Sequence, residues 1–172
     1  MKLTPFTESD LPIIQKWLKN ESLMYYVITE KTESLFPFIS LAIRSGPALI
    51  GWANLFNIDF ENQKAEYGIA IPDQKYTRIG GLATIQILKY AFNNIKPFPE
   101  LPDLYLNRVY VRPLAGNVLP DGRDMRERFG FIREGRERQA VRRGDIYEDI
   151  IVMAILKNEF RKRWNQCLSC HS

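Results

Sequence analysis

The sequence predicts a single mixed α/β domain, and three observations carry that expectation. Three strand-like runs, Phe36–Arg44, Ala48–Phe60 and Ala65–Ile71, are separated only by short turn-forming stretches, as an antiparallel meander requires. A helix-spaced segment then leads to a further β-branched run, and two last strand runs meet at Arg142-Arg143-Gly144-Asp145, which is hairpin-turn chemistry. No stretch of linker composition interrupts the chain, and 172 residues are about one domain's worth. The domain is expected over residues 1–160, with 161–172 as a C-terminal tail.

In chain order, Lys2–Phe6 reads as a short strand. A helix follows, opened by Thr7 or Ser9, favoured by Glu8 and Asp10 at its positive end, and striped with Leu11, Ile14, Trp17 and Leu18. It should end near Asn20, before an aromatic-rich helical or irregular piece, Ser22–Ile28, that contains Tyr25 and Tyr26. After the meander a glycine-bearing turn, Arg78-Ile79-Gly80-Gly81-Leu82-Ala83-Thr84, feeds a helix beginning near Gly81, with Leu82, Ile85, Leu88 and Phe92 at helical spacing. Asn93-Asn94 and Pro97, Pro99 and Pro102 stop it. The run Leu106–Val111 returns to the sheet, a helix around Arg123–Phe129 ends at Gly130, and the strands Phe131–Val141 and Ile146–Leu156 close the domain.

Composition excludes several classes. With 45% hydrophobic, 12% aromatic and 26% charged residues, the chain matches an ordinary globular protein and no disordered, collagenous or disulfide-stapled one. The longest apolar run, Ile150–Leu156, is about a third of a membrane span. Met1-Lys2-Leu3-Thr4-Pro5 begins no secretory signal, so a cytoplasmic location is expected. Cys167-Leu168-Ser169-Cys170-His171 spells a haem-attachment pattern, but covalent haem needs an exported chain and usually a second axial ligand, and His171 is the sole histidine. Two cysteines and one histidine also fall one short of a usual zinc site, so no metal is expected.

The net charge of +4 is unevenly placed. Residues 1–100 balance 10 Lys and Arg against 10 Asp and Glu, whereas residues 101–172 hold 14 against 10. Between Arg108 and Arg143, ten arginines face five carboxylates and no lysine. Arginine's planar fork suits phosphate, so an anionic ligand is one reading and a set of solvated arginines on amphipathic strands is the other.

The junction of the third meander strand with the following helix is the strongest local feature. A glycine-bearing turn entering a helix leaves backbone amides pointing outward in the positive end of the dipole, which suits a pyrophosphate. The segment lacks the Gly-Lys-Ser/Thr ending of a nucleotide-triphosphatase loop and the G-x-G-x-x-G of a dinucleotide turn. It fits Q/R-x-x-G-x-G/A instead, and so resembles the acetyl-CoA pyrophosphate loop of the GNAT (Gcn5-related) N-acetyltransferases. Further segments are similar to that family in the same order. They are Thr7-Glu8-Ser9-Asp10-Leu11 with Trp17-Leu18, Ile50-Gly51-Trp52-Ala53, Ala65-Glu66-Tyr67-Gly68-Ile69, Leu106-Asn107-Arg108-Val109, Arg112-Pro113-Leu114-Ala115-Gly116-Asn117, and Phe129-Gly130-Phe131-Ile132-Arg133-Glu134-Gly135. The resemblance covers about residues 3–157. It points to the branch of ribosomal-protein N-terminal and spermidine-type polyamine acetyltransferases.

That resemblance implies a mostly antiparallel twisted sheet of about six or seven strands flanked by helices. It implies direct transfer of acetyl from acetyl-CoA to a primary amine on a peptide N-terminus, polyamine or other small molecule, without a metal. The pantetheine chain would pair with Ile69, Ala70 and Ile71. Amides from Arg78, Ile79, Gly80, Gly81, Leu82, Ala83 and Thr84 would hold the pyrophosphate, and Asn117 would touch the cofactor. A backbone amide near the strand's end would polarise the thioester carbonyl.

An alkyl ammonium with a pKa near about 10.4 is unreactive until deprotonated, so a base is needed. Glu66 is the candidate, acting through a water, because Glu66, Gly68 and Ala70 share one strand face and leave room for a ligand; the alternative is a plain solvent-facing carboxylate. The chain departs from the family at Arg126, where the thiolate-protonating acid is usually a tyrosine. A guanidinium stabilises charge but donates no proton at neutral pH, leaving Tyr110, Tyr147 or solvent for that task. The stretch Val118–Gly122 is about two residues longer than the family's. Other readings are an acyl-CoA-binding protein with little catalysis, or a ribosome- or RNA-associated module. No membrane or nucleic-acid partner is expected, and a homodimer is compatible with the sequence.

Overall fold

A computed structural model describes residues 1–19, 39–117 and 124–164. The expected Ser22–Ile28 piece and the cysteine tail lie outside the described residues. β1 (Lys2–Thr4) leads to a 3-10 turn (Glu8–Asp10) and α1 (Leu11–Leu18). The meander is β2 (Ile39–Ser45), β3 (Ala48–Asp59) and β4 (Lys64–Ala70). A 3-10 turn (Gln74–Tyr76) enters α2 (Thr77–Asn93), and β5 (Arg108–Val111) follows the proline-rich loop. A 3-10 turn (Met125–Phe129), the hairpin β6 (Ile132–Arg143) and β7 (Ile146–Leu156), and α3 (Lys157–Trp164) complete the described chain. Among the described residues the sheet has seven strands in the order β1-β2-β3-β4-β5-β7-β6. Every pairing is antiparallel except β4 with β5, the arrangement expected.

The two faces of the sheet are covered differently. Leu41, Ile43, Ala53, Leu55 and Tyr67 face α2, whose Ala83, Ile87, Leu88 and Ala91 are buried with them in the main core. The other face carries Ala42 and Leu49 against Ile14 of α1, and Trp17 stacks on Trp52 with ring centroids 5.7 Å apart. At the start of α1 the Asp10 carboxylate accepts from the Thr7 amide at 2.8 Å, the Thr7 hydroxyl at 2.9 Å and Arg44 at 2.6 Å. The helix thereby stays tied to β2.

Three elements differ from expectation. α2 begins at Thr77, so Gly80 and Gly81 lie inside the helix rather than in a turn before it. The Arg123–Phe129 helix is a 3-10 turn, over Met125–Phe129, in which the Arg126 amide donates to the Asp124 carboxylate at 2.8 Å, and Gly130 closes it at φ +97°. α3 was not expected, and it runs across the anticipated boundary at residue 160. Its Phe160 is fully buried, 5.4 Å from the Phe92 ring.

Candidate functional site

β4 and β5 pair at Lys64, Ala65 and Glu66 with Arg108, Val109 and Tyr110, and no further. Beyond that point β5 continues beside β7, with Val111 opposite Met153, while β4 continues beside β3 alone, with Tyr67 to Ala70 opposite Leu55 to Trp52. The strands therefore splay, and the β5-side edge of β4 from Tyr67 onward has no ladder partner among the described residues. A strand edge of this kind offers alternating N–H and C=O groups to an extended ligand. Ile69, Ala70 and Ile71 occupy this stretch, with Ile71 just past the strand's end.

α2 starts six residues after Ile71. By position, the amides without an intrahelical acceptor at its start are those of Thr77, Arg78 and Ile79. Gly80, Gly81, Leu82, Ala83 and Thr84 sit within the helix, which relocates the outward-pointing amides toward the strand. The two glycines answer to packing as well. A Cβ on Gly81 would lie 2.9 Å from the Phe129 ring, and one on Gly80 would lie 3.3 Å from Ile71. On β3, a Cβ at Gly51 would lie 2.3 Å from the Ala70 carbonyl oxygen, so only glycine lets the end of β4 approach.

Glu66 and Tyr110 are the last paired positions before the splay. Glu66 is 5% exposed, not the solvent-facing carboxylate of the alternative reading, and its Oε2 accepts from Asn57 Nδ2 at 3.1 Å. The strand register puts Trp52, Asn54 and Phe56 on the same face, opposite Ala70, Gly68 and Glu66. Asn54 Oδ1 is buried and accepts no hydrogen bond among the described residues. Sequence reasoning does not single out Asn54 and Asn57, although two amides in a strand that otherwise runs Leu49, Ile50, Trp52, Ala53, Leu55, Phe56 are a visible signal.

On the opposite face the Tyr67 hydroxyl bonds Thr84 Oγ1 at 2.9 Å, and Thr84 donates to the Gly80 carbonyl at 2.9 Å. Burial pushes the Tyr67 hydroxyl well above its usual range, outweighing the Thr84 bond and the Arg126 charge, which both act downward. Arg126 is thus close enough to be felt at β4. Its guanidinium is held by Asp124 through contacts of 2.9 Å to both carboxylate oxygens, and the Asp124 residue is buried. Asn117 donates its amide to Leu114 in a turn after β5 and is half-buried. Tyr147 lies opposite Arg142 near the hairpin tip and is exposed. It sits six residues along β7 from the level of Val111, about 20 Å, which removes it as a proton donor at the splay.

The arginine cluster is largely neutralised. Arg108 pairs with Glu134, Arg112 with Glu137, Arg126 with Asp124, Arg136 with Asp149, Arg142 with Asp145 and Arg143 with Glu148. Six of the ten arginines between 108 and 143 are accounted for by cross-strand and local ion pairs. The solvated-face reading prevails over a polyanion surface. No group of histidine, cysteine and carboxylate residues fit to hold a metal occurs among the described residues, and no described helix is long and apolar enough to cross a membrane.

No protein-family profile matches the chain. It is 31% identical over 114 residues to "Putative ribosomal N-acetyltransferase YdaF" of Bacillus subtilis, an alignment spanning 66% of this chain and 56% of that relative. The chain therefore aligns with just over half the length of that curated relative. Among solved structures, the spermidine N-acetyltransferase of Vibrio cholerae in complex with CoA and spermine superposes with a TM-score of 0.72 at 21% identity, covering 92% of this chain and 96% of that one. A point mutant of the Vibrio cholerae spermidine N-acetyltransferase SpeG gives 0.72 at 21% identity, covering 95% of this chain and 99% of that one. The likeness establishes a common fold across nearly the whole length of both chains.

Proposed function

We propose, on the premise that this chain has the GNAT fold, that it is an N-acetyltransferase moving an acetyl group from acetyl-CoA to a primary amine. The observation that carries this reading is the splay between β4 and β5, with Glu66 at its crotch and the start of α2 at its far end. The residues present fit the cosubstrate. The unpaired edge at Ile69, Ala70 and Ile71 matches an extended chain bearing amides, and the first-turn amides of α2, including Arg78 and Ile79, match its pyrophosphate. The rest of the Arg78–Thr84 segment shapes the approach in this reading, and Asn117, in the turn after β5, is assigned to contact the same molecule. The identity to YdaF supports the reading, as does CoA bound to the spermidine acetyltransferase of like fold.

Acetyl-CoA supplies an acyl group already activated as a thioester. The chain's own residues do the rest. Glu66, buried and steadied by Asn57, takes the proton that the incoming ammonium must lose, through a water. Arg126, fixed by Asp124, favours negative charge near the splay, where thiolate develops. Tyr110, paired with Glu66 in the ladder and on its face, is the phenol we assign to return a proton. The acceptor class we assign is a polyamine or a peptide N-terminus, in a cytoplasmic setting; the spermine bound to the spermidine acetyltransferase of like fold supports the polyamine.

A second reading, an acyl-CoA binder with little turnover, is favoured by one observation. Arg126 stands where a proton-donating tyrosine is usual, and it is committed to Asp124. One pair of measurements separates the two. Acetyl-CoA at about 100 times its Kd should stabilise the fold by about 2.7 kcal/mol, raising Tm by about 5 °C or more. CoA release should then appear with at least one member of a panel of polyamines, small amines and N-terminal peptides. No rise in Tm removes both readings; a rise without CoA release leaves the binder.

A further inference from the structure

The Glu66 face of the sheet contains one buried atom that the chemistry above does not use. Among the described residues Asn54 Oδ1 accepts no hydrogen bond, although a buried carbonyl left unpaired carries a desolvation penalty that an apolar side chain would avoid. The neighbouring positions of β3 are apolar, so such a replacement would suit the strand. Asn54 lies directly opposite Gly68, which presents no side chain to cover the amide. The Phe56 ring reaches that position instead, with Cε1 3.3 Å from where a Gly68 Cβ would stand. Glu66 is the next residue of β4 on that face, diagonal to Asn54, a relation that places Cα atoms about 7–8 Å apart. One nitrogen can therefore be reached by both side chains.

We infer that Asn54 is a binding residue for the acceptor, taking an N–H of a primary ammonium group between its own Oδ1 and the Glu66 carboxylate. The chemistry selects the ligand. An amide oxygen without a donor calls for a hydrogen-bond donor, an adjacent carboxylate calls for a cation, and an aromatic ring beside them favours a cation further. Among the described residues, Arg44 and Arg108 on this face are paired with Asp10 and Glu134. The inference rests on the acetyl-transfer reading for the presence of an amine, and it adds to that reading the residue that recognises it.

The test measures amine binding and acetyl-CoA binding separately on the full chain. The probes are 1,4-diaminobutane and a tripeptide with a free N-terminus, with butane-1,4-diol as the neutral control. Asn54→Leu should weaken binding of both amines at least tenfold, leave acetyl-CoA affinity within twofold, and keep Tm equal to or above that of the wild type, because it removes an unpaired buried acceptor. Asn54→Asp keeps the acceptor and adds charge, so it should bind 1,4-diaminobutane at least as tightly as the wild type at low salt. Unchanged amine binding in Asn54→Leu, a tenfold loss in Asn54→Asp, diol binding as tight as the diamine, or a wild type that binds neither amine would each overturn the inference. Amine binding lost in Asn54→Leu, in a protein that does not bind acetyl-CoA, would support the inference while removing the acetyl-transfer reading. Tight acetyl-CoA binding with amine affinity indifferent to Asn54 would do the reverse.

Discussion

Glu66 and Tyr67 are neighbours in β4, both buried, and they look out on opposite faces of the sheet. On the Tyr67 face the polar atoms form a closed chain. The phenol donates to Thr84, Thr84 donates to the Gly80 carbonyl, and the surroundings are apolar core. On the Glu66 face Asn57 donates to Glu66, while Asn54 Oδ1 takes nothing from the described residues. A polar network satisfied within the chain rigidifies a fold, whereas a buried acceptor left over calls for an explanation, of which a bound water, ion or ligand group is one. On the proposed reading the chemistry belongs on the Glu66 side of the strand, and substitutions on the two sides should separate activity from stability.

The largest separation is expected at Glu66. Glu66→Gln preserves shape and the Asn57 contact but removes the base, and CoA release should fall about 1,000-fold, with stability changed by less than about 1 kcal/mol. A rate within threefold of wild type would remove Glu66 from the chemistry and with it the functional half of the contrast.

Asp10 sharpens the contrast because it is a buried carboxylate as well, but a fully partnered one. Burial alone would raise its pKa, yet the Arg44 hydrogen bond and those from the Thr7 amide and hydroxyl outweigh it and hold the carboxyl below its usual value of 3.8. Asp10→Asn leaves Arg44, 17% exposed, without its counter-charge, and should cost about 3 kcal/mol of stability with CoA release per folded molecule unchanged. The sign of the pH dependence follows. A carboxylate whose folded pKa is lowered stabilises fully above the unfolded value, and that contribution is lost as pH falls from about 3.8 through the folded value. The Tm gap between wild type and Asp10→Asn should be constant from pH 7 to about pH 5 and should narrow below pH 4. A gap that widens on acidification would show that Asp10 is not held in its ionised form.

Much of this arrangement was legible locally. The meander and the final hairpin follow from period-two apolar runs and turn residues, and the placing of Glu66 with Gly68 on one face needed only strand alternation. What escaped the sequence depends on distant partners. Gly80-Gly81 reads as a turn, yet Phe129 and Ile71 are what require glycine inside α2. α3 is a charged octapeptide whose anchor, Phe160, is intelligible only once Phe92 is beside it. The arginine cluster left a ligand-directed and a solvated-face reading both open because its carboxylates lie far along the chain, Glu134 being 26 residues from Arg108 and Asp149 being 13 from Arg136. The empty acceptor on Asn54 is likewise a property of everything packed around it.

The smallest effects are expected on the closed face, and they test it most finely. Thr84→Val removes the acceptor of a buried phenol and should cost about 2 kcal/mol, since Tyr67 keeps a donor with nowhere to place it. Tyr67→Phe removes the donor itself. Thr84 still donates to the Gly80 carbonyl, no orphaned donor remains, and the loss should be about 1 kcal/mol, a fall in Tm of about 2–4 °C for a chain of this length. CoA release in Tyr67→Phe should stay within twofold of wild type, because a phenol whose ionisation burial resists has no proton to give at neutral pH. A collapse of the rate at nearly unchanged Tm would place Tyr67 in the chemistry. The division of labour between the two faces of β4 would then have to be redrawn, with Arg126, whose charge reaches this phenol, as the group that adjusts it.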